Sequence, residues 1–193
     1  ASSSASLAIT ASVYAKLPFD PSKDLRGVTM LAYSPHLLVV HPSVPANNLQ
    51  ELVALSRKDK LNFAVTAIGS APHLAGVAVE KATKAQWQYI PYKGGSQAIS
   101  DTVAGHAQVL MNGMLATLPH VQSGKLKALA VSGKARSGLL PNVPTFAEAG
   151  FPDFDASFYF AVAAPAGTPR DIVAKFAADA SQIVNSPEFR ETY

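Results

Sequence analysis

Leu61-Asn62-Phe63-Ala64-Val65-Thr66-Ala67-Ile68-Gly69-Ser70 and Gln86-Trp87-Gln88-Tyr89-Ile90-Pro91-Tyr92-Lys93-Gly94-Gly95-Ser96 carry one design twice. Each has a short apolar strand, then a loop of small residues, then the start of a helix. The first strand is apolar apart from Asn62, and the second alternates at the two-residue period of a strand. The helix after Ser70 presents Leu74, Val77 and Ala78; the one after Ser96 presents Ile99 and Val103 one turn apart, with Gly105 as its stop. Strand–helix units in succession predict an α/β fold with a mostly parallel sheet.

The same alternation extends outward. Upstream, Leu37-Leu38-Val39-Val40 reads as a buried strand closed by Pro42. Asn48 stands three residues before Glu51 at a helix start that presents Leu49, Leu52, Val53 and Leu55. Downstream, Ala107-Gln108-Val109-Leu110-Met111 and Leu126-Lys127-Ala128-Leu129-Ala130-Val131 read as strands, and Thr145 with Glu148 as the cap of a short helix ending at Gly150. Thr168 with Pro169 at the first helical position opens a longer helix. Its stripe of Ile172, Val173, Phe176, Ala180, Ile183 and Val184 reads as core-facing. Two extended, proline-flanked segments, near Leu31 to Val40 and Phe154 to Pro165, are candidates for crossings between two lobes. There is no internal repeat.

Composition narrows the functional classes. With 48% hydrophobic and 15% charged residues, 193 residues supply ample core for one large or two small α/β lobes. The net charge of +3 comes from scattered residues, and the densest basic group, Arg57-Lys58-Asp59-Lys60, reads as a solvated helix end. It lacks the interleaved aromatic residues of a nucleic-acid patch, so no nucleic-acid partner is expected. The absence of cysteine removes thiol catalysis, Cys-ligated zinc and disulfides. No run is long enough for a membrane span. The start, Ala1-Ser2-Ser3-Ser4, is not a signal peptide, and both ends read as cut.

The two repeated loops are the candidate site. Gly69 permits close backbone approach and Ser70 is a helix cap, while Gly94, Gly95 and Ser96 serve the second loop similarly. Helix N-termini present unpaired N–H groups with partial positive charge, which suits a carboxylate or phosphate. The plainer alternative is a tight strand-to-helix turn and nothing more. Neither loop is a Walker or dinucleotide motif, and no cofactor is expected. His36, His41, His73, His106 and His120 lack metal-ligand spacing. His73, in the first turn after Ser70, reads as either a packing residue or a ligand contact.

Gly94-Gly95-Ser96-Gln97-Ala98 falls one residue short of a hydrolase nucleophile elbow. A triad through Ser96 would need Asp101, from its own helix, and His106 or His120, so a serine hydrolase is the minor alternative. The expectation is no enzyme.

At several stretches the sequence resembles the substrate-binding proteins of tripartite tricarboxylate transporters, the Bug-type or TctC-like family. They are Leu17-Pro18-Phe19-Asp20-Pro21-Ser22-Lys23-Asp24-Leu25, His73-Leu74-Ala75-Gly76, Ile90-Pro91-Tyr92-Lys93-Gly94 and Ser123-Gly124-Lys125-Leu126-Lys127-Ala128-Leu129-Ala130-Val131. The match runs on through Leu140-Pro141-Asn142-Val143-Pro144-Thr145-Phe146-Ala147-Glu148-Ala149-Gly150 and Ala164-Pro165-Ala166-Gly167-Thr168-Pro169.

The resemblance implies a two-lobed periplasmic binding (Venus flytrap) fold. Residues 1–34 and 158–193 would form an incomplete first lobe, and residues 35–157 a complete second lobe. It implies a periplasmic protein, monomeric at full length, that passes a small organic carboxylate to integral membrane transporter subunits. A sensor reporting to a membrane kinase would need the same fold. Thr66, Gly69, Ser70, Gly94, Gly95 and Ser96 would grip the ligand, with His73 beside them. Asn112, Ser157 and Tyr159 would line the cleft, and Tyr92 would either contact the ligand or pack under its loop. The family's Ser after the second strand is Thr66 here, which keeps a hydroxyl.

Overall fold

The computed structural model describes residues 2–3, 16–152 and 158–192, which divide into two compact units. Unit 1 combines residues 1–33 with 158–193; unit 2 comprises residues 34–157. The segment 153–157, with Ser157 of the expected site, lies outside the described residues.

Unit 2 is a five-stranded sheet with helices on both faces. In chain order its elements are β3 (His36–Val40), α1 (Leu49–Ser56), β4 (Leu61–Val65), α2 (Ala71–Thr83), β5 (Trp87–Pro91), α3 (Gly95–Val103), β6 (Val109–Gly113), α4 (Met114–Gln122) and β7 (Lys127–Val131). The strands lie in the order β5-β4-β6-β3-β7. β4 pairs parallel with both β5 and β6, whereas β3 is antiparallel to both its neighbours. Four strands therefore point one way, as a mostly parallel sheet requires, and β3 is the exception. Being antiparallel to its neighbours, β3 enters the sheet at the edge where the other four strands leave it. Its five residues are all buried, matching the apolar run Leu37-Leu38-Val39-Val40 and adding His36.

The strand order fixes the helix layers. From β4 the chain steps outward to β5, then returns over β4 to reach β6. Right-handed crossovers in opposite directions put their helices on opposite faces. Accordingly Ala75 and Val79 of α2 pack in one apolar cluster with Val65, and Ala98 and Ile99 of α3 pack in a second with Ala64. On the α2 face Phe63 meets Trp87 edge-on at 5.6 Å and Tyr89 at 5.6 Å. Burial of a ring such as Phe63 stabilises by about 1.5–3 kcal/mol.

Local chemistry explains most boundaries. Asn48 caps α1 by accepting from the Glu51 N–H at 2.8 Å, and Glu51 reaches back to the Asn47 N–H at 2.7 Å. Thr145 and Glu148 exchange the reciprocal cap bonds expected of them, at 2.8 and 3.1 Å. The residues after that cap, however, form a turn stopped by Gly150 at φ +94°, and not a helix. The α4 helix has no counterpart in the sequence reading, because Pro119 inside it lacks the N–H that helix propagation needs.

Unit 1 contains a three-stranded sheet, ordered β1 (Ser2–Ser3), β8 (Phe158–Pro165) and β2 (Leu25–Ser34, whose last residue opens unit 2), followed by α5 (Arg170–Val184) and α6 (Pro187–Thr192). α5 starts one residue later than expected, with Pro169 at the cap position and no side-chain cap bond. No residue of α5 is buried, and Ile172, Phe176 and Ile183 are more than half exposed. Val173, Ala180 and Val184 of the stripe are half-buried, so the core-facing expectation is corrected for the other three: periodicity shows which face prefers burial, not what covers it.

Candidate functional site

The C-terminal edge of unit 2's parallel strands collects the predicted loops. Strand order reverses at β4, whose neighbours β5 and β6 are reached by helices on opposite faces. This is the switch point where open α/β sheets leave a crevice. The N-termini of α2, α3 and α4 all open at this edge, and β3 begins there with His36 paired to Gly113.

The loop after β4 is held by its own side chains. Ser70 is the α2 cap, accepting from the His73 N–H at 3.4 Å and donating its hydroxyl to the Ala67 carbonyl at 2.7 Å. Gly69 sits at φ +81°, a conformation that a side chain would strain. Its N–H donates to Nδ1 of His73 at 3.1 Å. Neutral His73 therefore carries its proton on Nε2. Burial pushes the His73 pKa below its ordinary value, while the Glu80 carboxylate acts weakly the other way.

The His73 ring stands edge-on to Tyr89 at 4.7 Å. Tyr89 donates to Glu80 at 3.0 Å, and the Trp87 N–H occupies the other Glu80 oxygen at 3.1 Å. Burial first, and Glu80 second, push the Tyr89 pKa far above its ordinary value. His73 thus belongs both to the loop and to the packed layer under it. Thr66 comes directly after Val65, whose carbonyl accepts from the Tyr92 N–H at 2.9 Å and so ties the two loops together.

The second loop is barer. Gly94 caps α3 in extended backbone with no side-chain bond, and Gly113 caps α4 likewise. Gly95 lies against the amide of Asn112 on β6: a Cβ there would come within 2.9 Å of Oδ1 and 3.1 Å of Nδ2. Asn112 is 7% exposed, and its amide makes no hydrogen bond among the described residues. No buried side-chain polar atom in the described structure is left unsatisfied, so this amide reaches solvent at the edge. A solvent-facing amide beside a helix N-terminus without a side-chain cap can donate to an anion.

Tyr92 packs partly buried against the second apolar cluster. Burial, then the Asp101 carboxylate, raise its pKa. Ser96 is exposed in the first turn of α3. Asp101 stands five residues further, a rise of about 7.5 Å, and faces His106 at 4.0 Å beyond the other end of the helix. These three residues do not assemble as a triad. Tyr159 lies on β8 in unit 1. The sequence reading missed the α4 corner at Gly113, which adds a third helix N-terminus to this edge.

The fold is that of periplasmic binding proteins, represented by one lobe and part of another. A structure of periplasmic binding protein BugD is 28% identical with a TM-score of 0.86, covering 97% of this chain and 63% of that one. A Rhodopseudomonas palustris protein, MatC, with bound malate is 28% identical with a TM-score of 0.87. These cover 97% of this chain and 65% of MatC. R. palustris Rpa4515 with adipate is 30% identical, TM-score 0.83, covering 91% and 60%. The model of the tripartite tricarboxylate transporter family receptor matches residues 1–193, and the chain belongs to that family. BugT of Bordetella pertussis is 39% identical over 174 residues, covering 89% of this chain and 53% of BugT. The chain spans about half the length of the curated relatives first matched.

Proposed function

We propose that this chain is part of a periplasmic solute-binding protein that captures a small organic carboxylate for a membrane transporter, without catalysing a reaction. The observation that carries the reading is the convergence, at the switch point, of two helix N-termini without side-chain caps and the solvent-facing Asn112 amide. Partial positive charge at a helix end favours an anion by roughly 0.3–1 kcal/mol at an exposed surface and more when water is excluded. Gly94, Gly95, Ser96 and Asn112 hold the carboxylate in this proposal, with Thr66, Gly69, Ser70 and His73 shaping the adjoining loop. Tyr92 acts mainly from beneath, and Ser157 and Tyr159 complete the set.

The lobe division, residues 1–34 with 158–193 and residues 35–157, is part of the same proposal. So are membrane transporter subunits as partners, a monomer, and no role for nucleic acid or cofactor. Calorimetric titration with malate and adipate tests it, with the diamine putrescine as the charge-reversed control. Heat of binding and a raised melting temperature with an acid are expected. Silence with every carboxylate, or equal binding of the diamine, would sink the reading.

A further inference from the structure

Large apolar side chains exposed on unit 2 are few, and most of them gather at one edge. Among its described residues four are exposed: Ile68 at 55%, Leu74 at 41%, Leu115 at 61% and Leu139 at 55%. Ile68 is in the loop after β4, two residues before the Ser70 cap. Leu74 is in the first turn of α2 and Leu115 in the first turn of α4, both at the edge where β4 ends, whereas Leu139 lies in the long loop after β7, away from this group. Single exposed apolar residues such as Leu139 need no explanation, but Ile68, Leu74 and Leu115 gathered at one edge do.

Ile68 is the informative member. It occupies a loop otherwise built of Thr, Ala, Gly and Ser, between strands whose other exits carry the polar cradle. Leu115 stands on the β6–α4 corner, three residues beyond Asn112, so the apolar side chains flank the strand pair at which Gly95 meets the amide. A wholly hydrophilic acid would leave them in water. An acid with a hydrocarbon body would lay that body across them while its carboxylate meets the N–H groups.

We propose that this site selects carboxylates with an unsubstituted hydrocarbon body of four or more carbons over short hydroxylated acids, with Ile68 as a specificity-determining contact. The inference rests on the carboxylate reading of the preceding subsection and adds the chemistry of the rest of the ligand. Each buried methylene contributes about 0.8 kcal/mol, which is roughly a fourfold change in affinity.

The test is calorimetric titration of the full-length protein with succinate, glutarate, adipate and pimelate, with malate as the hydroxylated comparator. Affinity is expected to climb about three- to fourfold per methylene until the crevice is filled, with malate weakest. Ile68→Ser is expected to flatten that slope, and Ile68→Val to restore most of it. Equal affinities along the series, or malate tighter than adipate, would overturn the proposal while leaving carboxylate capture standing. A uniform loss for every acid in Ile68→Ser would also overturn it, assigning the rim to polypeptide contact instead. Failure of every acid to bind removes this inference together with the reading beneath it.

Discussion

Gly95→Ala separates the stability of α3 from the use of its N-terminus. The new Cβ would stand 2.9 Å from Oδ1 and 3.1 Å from Nδ2 of Asn112, closer than ordinary van der Waals contact. No hydrogen bond within the described chain holds that amide, so it can turn aside at small cost. Exchange of Gly for Ala in a helix returns up to roughly 0.5–1 kcal/mol, less at this first position. Net stability should therefore stay within about 1 kcal/mol of the parent, a melting shift of roughly 2–4 °C at most.

Binding responds differently, because the displaced amide no longer donates to the ligand. A hydrogen bond to a charged group is worth about 1.5–3 kcal/mol, so affinity should fall roughly 10- to 150-fold. Titration calorimetry with adipate reads the binding, and thermal unfolding of the ligand-free protein reads the stability. Gly138→Ala, where an added Cβ meets nothing within 4 Å, is the control. Unchanged affinity in Gly95→Ala would refute the placement of the carboxylate. A large loss of melting temperature would refute the claim that the amide has no structural task.

The same geometry sets three further outcomes. Ser70→Asp keeps a capping oxygen but loses the bond to the Ala67 carbonyl, so stability should drop by about 1 kcal/mol. The added charge, at 4 Å and effective dielectric ~20, opposes an anion by up to about 4 kcal/mol, so adipate binding should weaken a hundredfold or more in calorimetry, with Ser137→Asp as control. Gly76→Ala drives a Cβ to 2.8 Å from the Tyr89 oxygen and 2.9 Å from its ring. That ring is fixed by Phe63, His73 and Glu80, so overpacking should cost about 1–3 kcal/mol in denaturant unfolding. His73 is the pH-sensitive member: with its folded pKa below 6.5, the unfolded chain binds more protons in the window between the two values. Its stabilising share is complete above about 6.5 and is lost as pH falls through the folded value. Melting curves from about pH 4 to 8 should be flatter in His73→Asn, which keeps an acceptor without a titrating ring; identical pH profiles would remove His73 from that role.

Elements whose signals are local were legible in the sequence. The caps at Asn48 and Ser70, the strand at Leu61–Val65 and the stop at Gly105 all depend on neighbours a few residues away. The reversed β3 was not legible, since its apolar run is the same in either direction. Pro119 concealed α4, because its missing N–H is a strong stop signal that this helix tolerates. The contact between Gly95 and Asn112 was hidden for another reason. The residues are 17 apart, and only the return of α3 over β4 brings them together. The stripe of α5 is apolar at helical period, yet period alone does not say how far it is covered, and in the described structure only Val173, Ala180 and Val184 of it are half-buried.

The bond made just before β3 has a mechanical consequence. Pro35, two residues past the boundary between the units, accepts from the Met114 N–H at 3.0 Å, the first amide of α4. Tension along the chain at that boundary should therefore reach a helix end at the C-terminal edge of the parallel strands without passing through any side chain. The Met114 amide is a built-in strain gauge, and its hydrogen-exchange rate should change when the polypeptide at Tyr33–Ser34 is pulled or released.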